Sequence, residues 1–441
     1  EADGDSPVHA IAGDAPPQAA PRPPVGTPRR GGVLQSPAEA CDELDGARMQ
    51  TAMSGSGLDR YRIKTVVGSG CFGNVRLAEA QDGQKVAIKT VGEDAGREMR
   101  EVEIMRNLCH PCVVSLVEAF WAPGFTGQKA LHIVMEFMPK NLHQHIAGRP
   151  LPMAEMRGFG FQLLRAMAFL DGRKICHRDV KPENVLLGEA PGDGISFGVS
   201  PGIRAVKLAD FGSAKFLNGS SSTSYICARW WRAPELVVGC TNYGSAVDWW
   251  SSGCVLGEMM TGRPLFPGSS SLGQLDLIMN ALGTPSAREL EAIGAPKPIA
   301  MFGSPEAHAG GECAGRAPTY AEVAALVERR RIARPFEDLL PAFATQPSAI
   351  ELVSRLLVYD PCARISPGQA LGSALFHTLP EEPGELPKGL FDFAEEELAP
   401  LPLNLQEELL GFDGRRAIYE QRGGAQIATA TSGAARPVRP S

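Results

Sequence analysis

The sequence predicts an α+β chain of two lobes, a small β-rich one over residues 58–138 and a larger, mostly helical one over 139–378. Three observations carry that prediction. Residues 58–138 hold five short runs rich in β-branched side chains and only one helical stretch. After Pro139 the apolar residues recur at helical spacing instead. The first 57 residues change texture altogether, with runs such as DAPPQAAPRPPVGTPRRGG that cannot bury enough surface to fold.

In the small lobe, YRIKTVV, NVRLAEA and QKVAIKTV read as strands, and the QDGQ turn makes the last two a hairpin. GREMREVEIMRNL is the one helix. VVSLVEAFWA and KALHIVMEFM are two further strands. In the large lobe, MAEMRGFGFQLLRAMAFL, SAVDWWSSGCVLGEMMTG and AIELVSRLLVYD are helical by their apolar spacing. The segments 188–204 and 303–319, rich in Gly, Pro and Ala, read as inserts, and residues 413–441 read as a second disordered tail. A cleft between the lobes is the natural ligand site.

With 441 residues and 44% apolar content, the chain can build two cores and carry tails. A net charge of −7, with only short arginine runs, argues against a nucleic-acid face. No apolar run approaches 18 residues, so no membrane span is expected. Ten scattered cysteines fit a reducing compartment better than a disulfide framework. The pair Cys109 and Cys112 has C-x-x-C spacing, but no second pair accompanies it, so a loop is the plainer reading. The chain begins at Glu1, so an N-terminal targeting signal is not judged.

Four motifs carry chemistry. VGSGCFGNV places Gly68, Gly70 and Gly73 between two strands, where backbone N–H groups can fold over an anion. Such a glycine pattern alone is weak. It sharpens because VAIK puts Lys89 on the next strand, in reach of phosphates. A lysine half-buried in a strand needs a counter-charge, and Glu101 on the helix is the candidate. Alone, Glu101 reads as a solvated helix face. The stretch CHRDVKPENVLL then provides Asp179 to orient a hydroxyl and accept its proton. In the same stretch Asn184 can hold a metal ion and Lys181 can balance transferred charge. Asp210 of ADFG is a second metal ligand, and APE follows at 233–235.

In this order these motifs form the protein-kinase signature set. The chain resembles a protein kinase over residues 58–378. The resemblance implies the two-lobed protein kinase fold, ATP and Mg²⁺ as cofactors, and transfer of the γ-phosphoryl to protein substrates. It implies an ATP site of Val67, Gly68, Gly70, Gly73, Val75, Ala87, Lys89, Glu136, Met138 and Leu186, with Met135 as gatekeeper. It makes Asp179, Lys181, Lys89 and Glu101 catalytic, and Asn184 and Asp210 metal-binding. A Lys two residues after the catalytic Asp suits serine/threonine kinases. Glu235 is expected to pair with Arg364, Asp248 to brace the catalytic loop, and Met105, His177 and Phe211 to stack in a hydrophobic spine. A kinase-shaped scaffold without catalysis is the reading from another class. Such scaffolds usually lack one of the catalytic groups that are all present here.

Longer stretches, including SYICARWWRAPEL, LFPGSSSLGQLDLIMNALGTP and GLFDFAEEEL, resemble glycogen synthase kinase-3/shaggy, within the group that also holds cyclin-dependent and mitogen-activated kinases. That resemblance implies a C-terminal extension, 379–412, packed on the large lobe. It implies a phosphate pocket of Arg100, Arg178 and Lys215 that receives a phosphate already on the substrate, S-x-x-x-pS, and self-phosphorylation at Tyr225. It further implies an active monomer, with cytoplasmic and nuclear residence as the expectation. Thr223 departs from that family and makes a T-x-Y pattern with Tyr225. Mitogen-activated kinases fill the same pocket with their own phosphothreonine, so phosphorylation of Thr223 and Tyr225 is the competing reading. The first 57 residues do not match the family's inhibitory segment, and that mode of inhibition is expected to be absent. The region after GTPSARELEAIG also departs, so the family's scaffold proteins are not carried over. Cys71 stands at the tip of the glycine loop, where a passive thiol is the favoured reading.

Overall fold

A computed structural model describes residues 57–70, 73–92, 96–125, 127–188, 205–218, 223, 226–295, 317–379 and 386–431. The expected N-terminal tail, Cys71, Tyr225 and nearly all of both inserts lie outside these residues.

Five antiparallel strands form the small lobe in the order β1-β2-β3-β5-β4. They are β1 (Tyr61–Gly70), β2 (Gly73–Ala80), β3 (Lys85–Val91), β4 (Leu116–Pro123) and β5 (Lys129–Glu136). Gly83 makes the β2–β3 turn with φ of 86°, and Asp82 accepts a hydrogen bond from the Gln84 amide there. Alternation sorts the strand side chains. Ala78, Val86, Ile88 and Val134 form a small core on one face with Leu58, Tyr61 and Phe120. Leu131, Ile133 and Met135 belong to the main core, with Val102 and Met105 of helix α1 (Gly96–Arg106).

Helix α2 (Met153–Gly172) is buried from Phe159 to Leu170, and helix α3 (Ala246–Thr261) from Trp250 to Met260. Helices apolar on every side belong at the centre of a lobe, and these two are that centre. Around their edge run the short strands β6 (Lys140–Asn141), β7 (Ile175–Cys176), β8 (Val185–Gly188), β9 (Ala205–Leu208) and β10 (Lys215–Phe216). They pair as β6-β8-β9 and β10-β7.

Residues 386–412 lie on α2. Arg165 is fully buried there; it pairs with Glu397 and donates to the Leu390 and Asp392 carbonyls, each at 2.8 Å. Phe391 and Phe412 pack on Phe161. Each buried ring contributes roughly 1.5–3 kcal/mol.

One expectation needs correction. The tail from 413 is helical through 431, because the helix Leu403–Thr431 continues. Leu, Glu, Gln, Arg and Ala are frequent in this run and are good helix formers. Directly after the segment read as the insert 303–319, the helix Tyr320–Glu328 begins, and Thr319 caps it in a box with Glu322. Among the described cysteines, Cys109 is disulfide-bonded, and Cys112, Cys176, Cys227, Cys240, Cys254 and Cys362 are free thiols.

Candidate active site

A cleft of about 620 Å³ is lined by Val67, Gly68, Val75, Ala87, Met135, Glu136, Met138 and Leu186 along its apolar side, and by Lys89, Glu101, Lys181, Asn184 and Asp210 at its polar end. That volume is typical of a small-ligand site. Gly70 and Gly73 face each other where the β1–β2 hairpin ends.

Strand β3 aims Lys89 inward because its neighbours Ile88 and Val86 point to the opposite face. Its Nζ lies 2.7 and 3.0 Å from the two Glu101 oxygens and 3.4 Å from Asp210 Oδ1. Burial opposes the ammonium charge. The Glu101 and Asp210 carboxylates outweigh it and hold the Lys89 pKa above its ordinary value. Burial likewise works against ionised Asp210. The Lys89 ammonium, with Lys181 beyond it, prevails and lowers its pKa.

Asp210 itself has φ of 63° and precedes the turn Phe211–Ser213. Phe211 is buried edge-on against His177, ring centres 5.0 Å apart, and His177 Nε2 lies 3.0 Å from the Ala209 carbonyl. Met105 is buried in the same core. Gly212 sits in close approach to the ion pairs. A Cβ there would stand 3.2 Å from Asp210 Oδ1 and 3.3 Å from Glu101 Oε2.

Asp248, buried at the start of α3, accepts from the His177 amide at 2.6 Å and the Arg178 amide at 2.8 Å. Those bonds secure a loop in which Arg178 has φ of 66°. Next in the chain, the Asp179 carboxylate accepts from Lys181 Nζ at 2.6 Å, Asn184 Nδ2 at 3.0 Å and the Ala228 amide at 3.0 Å. A carboxylate offers about four acceptor positions, so one remains for an incoming hydroxyl. Glu235 and Arg364 form a buried bidentate pair, 2.6 and 2.7 Å.

Of the cations expected to hold phosphate, Arg178 and Lys215 lie beside the Phe211–Ser213 turn. Arg178 Nε donates to the Ser213 carbonyl at 2.5 Å. Lys215 lies in β10, opposite Cys176 of β7 and so close in register to Arg178. Arg100 is exposed on α1, beside Glu101.

Several functional contacts were not visible in the sequence. The Ala228 amide on Asp179 is a backbone donor with no residue signature. Tyr243 donates to the Thr223 carbonyl at 2.7 Å and lies 3.4 Å from Arg178 Nη1. The Trp231 indole donates to Glu258 at 3.0 Å across 27 positions.

A family model for the protein kinase domain matches residues 61–376. The chain belongs to the protein kinase family. The kinase therefore transfers phosphoryl groups from ATP, and its residues fit that ligand and its usual Mg²⁺. Asp210 and Asn184 offer oxygens, the donor type that hard divalent cations prefer. Asn184 engages Asp179 through Nδ2, and its Oδ1 makes no hydrogen bond among the described residues. When bound, Mg²⁺ neutralises phosphate charge.

Proposed function

We propose that this kinase phosphorylates serine and threonine in proteins already carrying a phosphate four residues C-terminal to the target, and that it belongs with the glycogen synthase kinase-3/shaggy enzymes. Asp179 orients the hydroxyl and accepts its proton; Lys181, 2.6 Å away, balances the charge transferred to it. Lys89, positioned by Glu101, holds the ATP phosphates, while Asn184 and Asp210 hold Mg²⁺. Catalysis here is positioning and charge neutralisation.

The observation that carries the priming reading is Arg100. It is exposed and forms no ion pair among the described residues, although its neighbour Glu101 is fully engaged. An exposed cation of this kind, brought together with Arg178 and Lys215, suits an external phosphate with nearly two charges. A second reading draws on Tyr243. By tethering the Thr223 carbonyl near Arg178, it keeps Thr223 close enough for its own phosphate to fill the pocket, as in a T-x-Y kinase. We favour the substrate phosphate and an active monomer in cytoplasm and nucleus.

The test is kcat/KM on paired peptides, S-x-x-x-S and S-x-x-x-pS, with wild type and Arg100→Ala. Preference for the phosphopeptide, lost in Arg100→Ala, is expected. Equal rates on both peptides, with phosphate on Thr223, would replace the primed reading with the T-x-Y one.

A further inference from the structure

Glu136 ends β5 and opens the 136–138 connection at the cleft. Its carboxylate is taken by two other chain segments. Lys207 Nζ of β9 lies 2.7 and 2.9 Å from its two oxygens, and the Ser115 amide donates to Oε1 at 2.7 Å. Backbone bonds knit the same place. The Glu136 amide donates to the Ser115 carbonyl at 3.2 Å, Val114 to Leu208 at 2.9 Å, and Leu208 to Cys112 at 2.9 Å.

The directions of these segments matter. From Glu136 the chain passes into Phe137 and Met138, which line the cleft. From Lys207 it passes through Leu208 and Ala209 to Asp210. One ammonium thus joins the lining of the apolar end of the cleft to the strand that delivers the carboxylate at its polar end. The side chains are 16% and 25% exposed, so solvent screens the pair only in part. Neither group belongs to the apolar core, so packing alone gives no reason for a charge at position 207.

We propose that Lys207 is a positioning residue for the nucleotide: its clasp on Glu136 holds the connection between the lobes against β9 and thereby sets how far the cleft opens. ADP and ATP are then bound by a cleft already near its closed geometry. This rests on the kinase reading and is independent of the primed-substrate one.

The experiment is ADP titration by calorimetry, with steady-state ATP kinetics, on wild type, Lys207→Met, Lys207→Arg and the double variant Lys207→Met/Glu136→Gln. Lys207→Met should raise the ADP Kd and the ATP KM together, about three- to tenfold, the size expected for a half-buried pair. The effect should fall on these constants and not on kcat. Lys207→Arg should recover to within about twofold, since the guanidinium keeps the charge and the donors. The double variant should be no weaker than Lys207→Met. An ADP Kd unchanged in Lys207→Met, or equal loss in the Met and Arg variants, would overturn the clasp. Wild type that binds no ADP would instead remove the nucleotide reading on which it stands.

Discussion

Replacing Asp248 with Asn removes one negative charge from a site where two backbone amides converge. In the native arrangement Oδ2 accepts from His177 at 2.6 Å and Oδ1 from Arg178 at 2.8 Å. An amide side chain can accept only one of these. Its NH₂ must face the other N–H, in a residue 3% exposed where water offers little relief. Losing one charge-assisted bond costs about 1.5–3 kcal/mol, and leaving a buried donor opposed costs about 1–3 more. The left-handed Arg178 backbone, with φ of 66°, stores about 1–3 kcal/mol that those bonds now offset. The loop should therefore relax, carrying Asp179 with it. A misplacement of about 1 Å costs roughly a hundredfold in rate. We expect Asp248→Asn to lower kcat about a hundredfold and to lower unfolding free energy by about 2.5–6 kcal/mol. ATP KM should change less than kcat, because most of the cleft wall, apart from Lys181, Glu183 and Asn184, comes from other elements. Peptide phosphorylation and urea melts measure both. A variant that loses the stability but keeps wild-type kcat would refute the reasoning, because the brace would then not position Asp179.

Two further outcomes follow from the same geometry. Gly212→Ala inserts a Cβ between Asp210 and Glu101, so the Lys89 ion pairs must shift; kcat should drop at least tenfold with the circular dichroism spectrum unchanged. Native kcat in that variant would show that the site yields without loss. Glu258 is pushed up to about 7, first by burial and further by the Glu183 charge, against the Trp231 hydrogen bond. A raised carboxyl binds a proton in the folded state that the unfolded chain releases, so its contribution is present below pH 4.5 and is lost as pH rises to about 7. Glu258→Gln keeps an acceptor for Trp231 and should flatten the stability profile across that window in urea melts; an unchanged slope would contradict the assignment.

The motifs Gly68 to Val75, Lys89, Asp179 to Asn184, Asp210 and Glu235 were legible because their chemistry depends on residue type at short, regular spacing. The strands and the α1, α2 and α3 helices were legible because apolar periodicity is a local property. The helical run to Thr431 was read as a disordered tail because the helix is anchored through the buried Leu409 and Phe412, a tertiary contact that local composition does not show. Pairs such as Glu235 with Arg364 became expectations only through family resemblance, because 129 positions separate them.

By itself the sequence determined the lobes, the order of catalytic groups and the membership of the kinase family. Only the tertiary structure decided several of the partners that these and neighbouring groups take. It turned Glu136 toward Lys207, placed the Ala228 amide on Asp179, and seated Arg165 beneath the C-terminal extension. The reason is physical. These bonds join residues remote in the chain, and several use backbone donors or acceptors that every residue carries, so only the packing of the elements selects them.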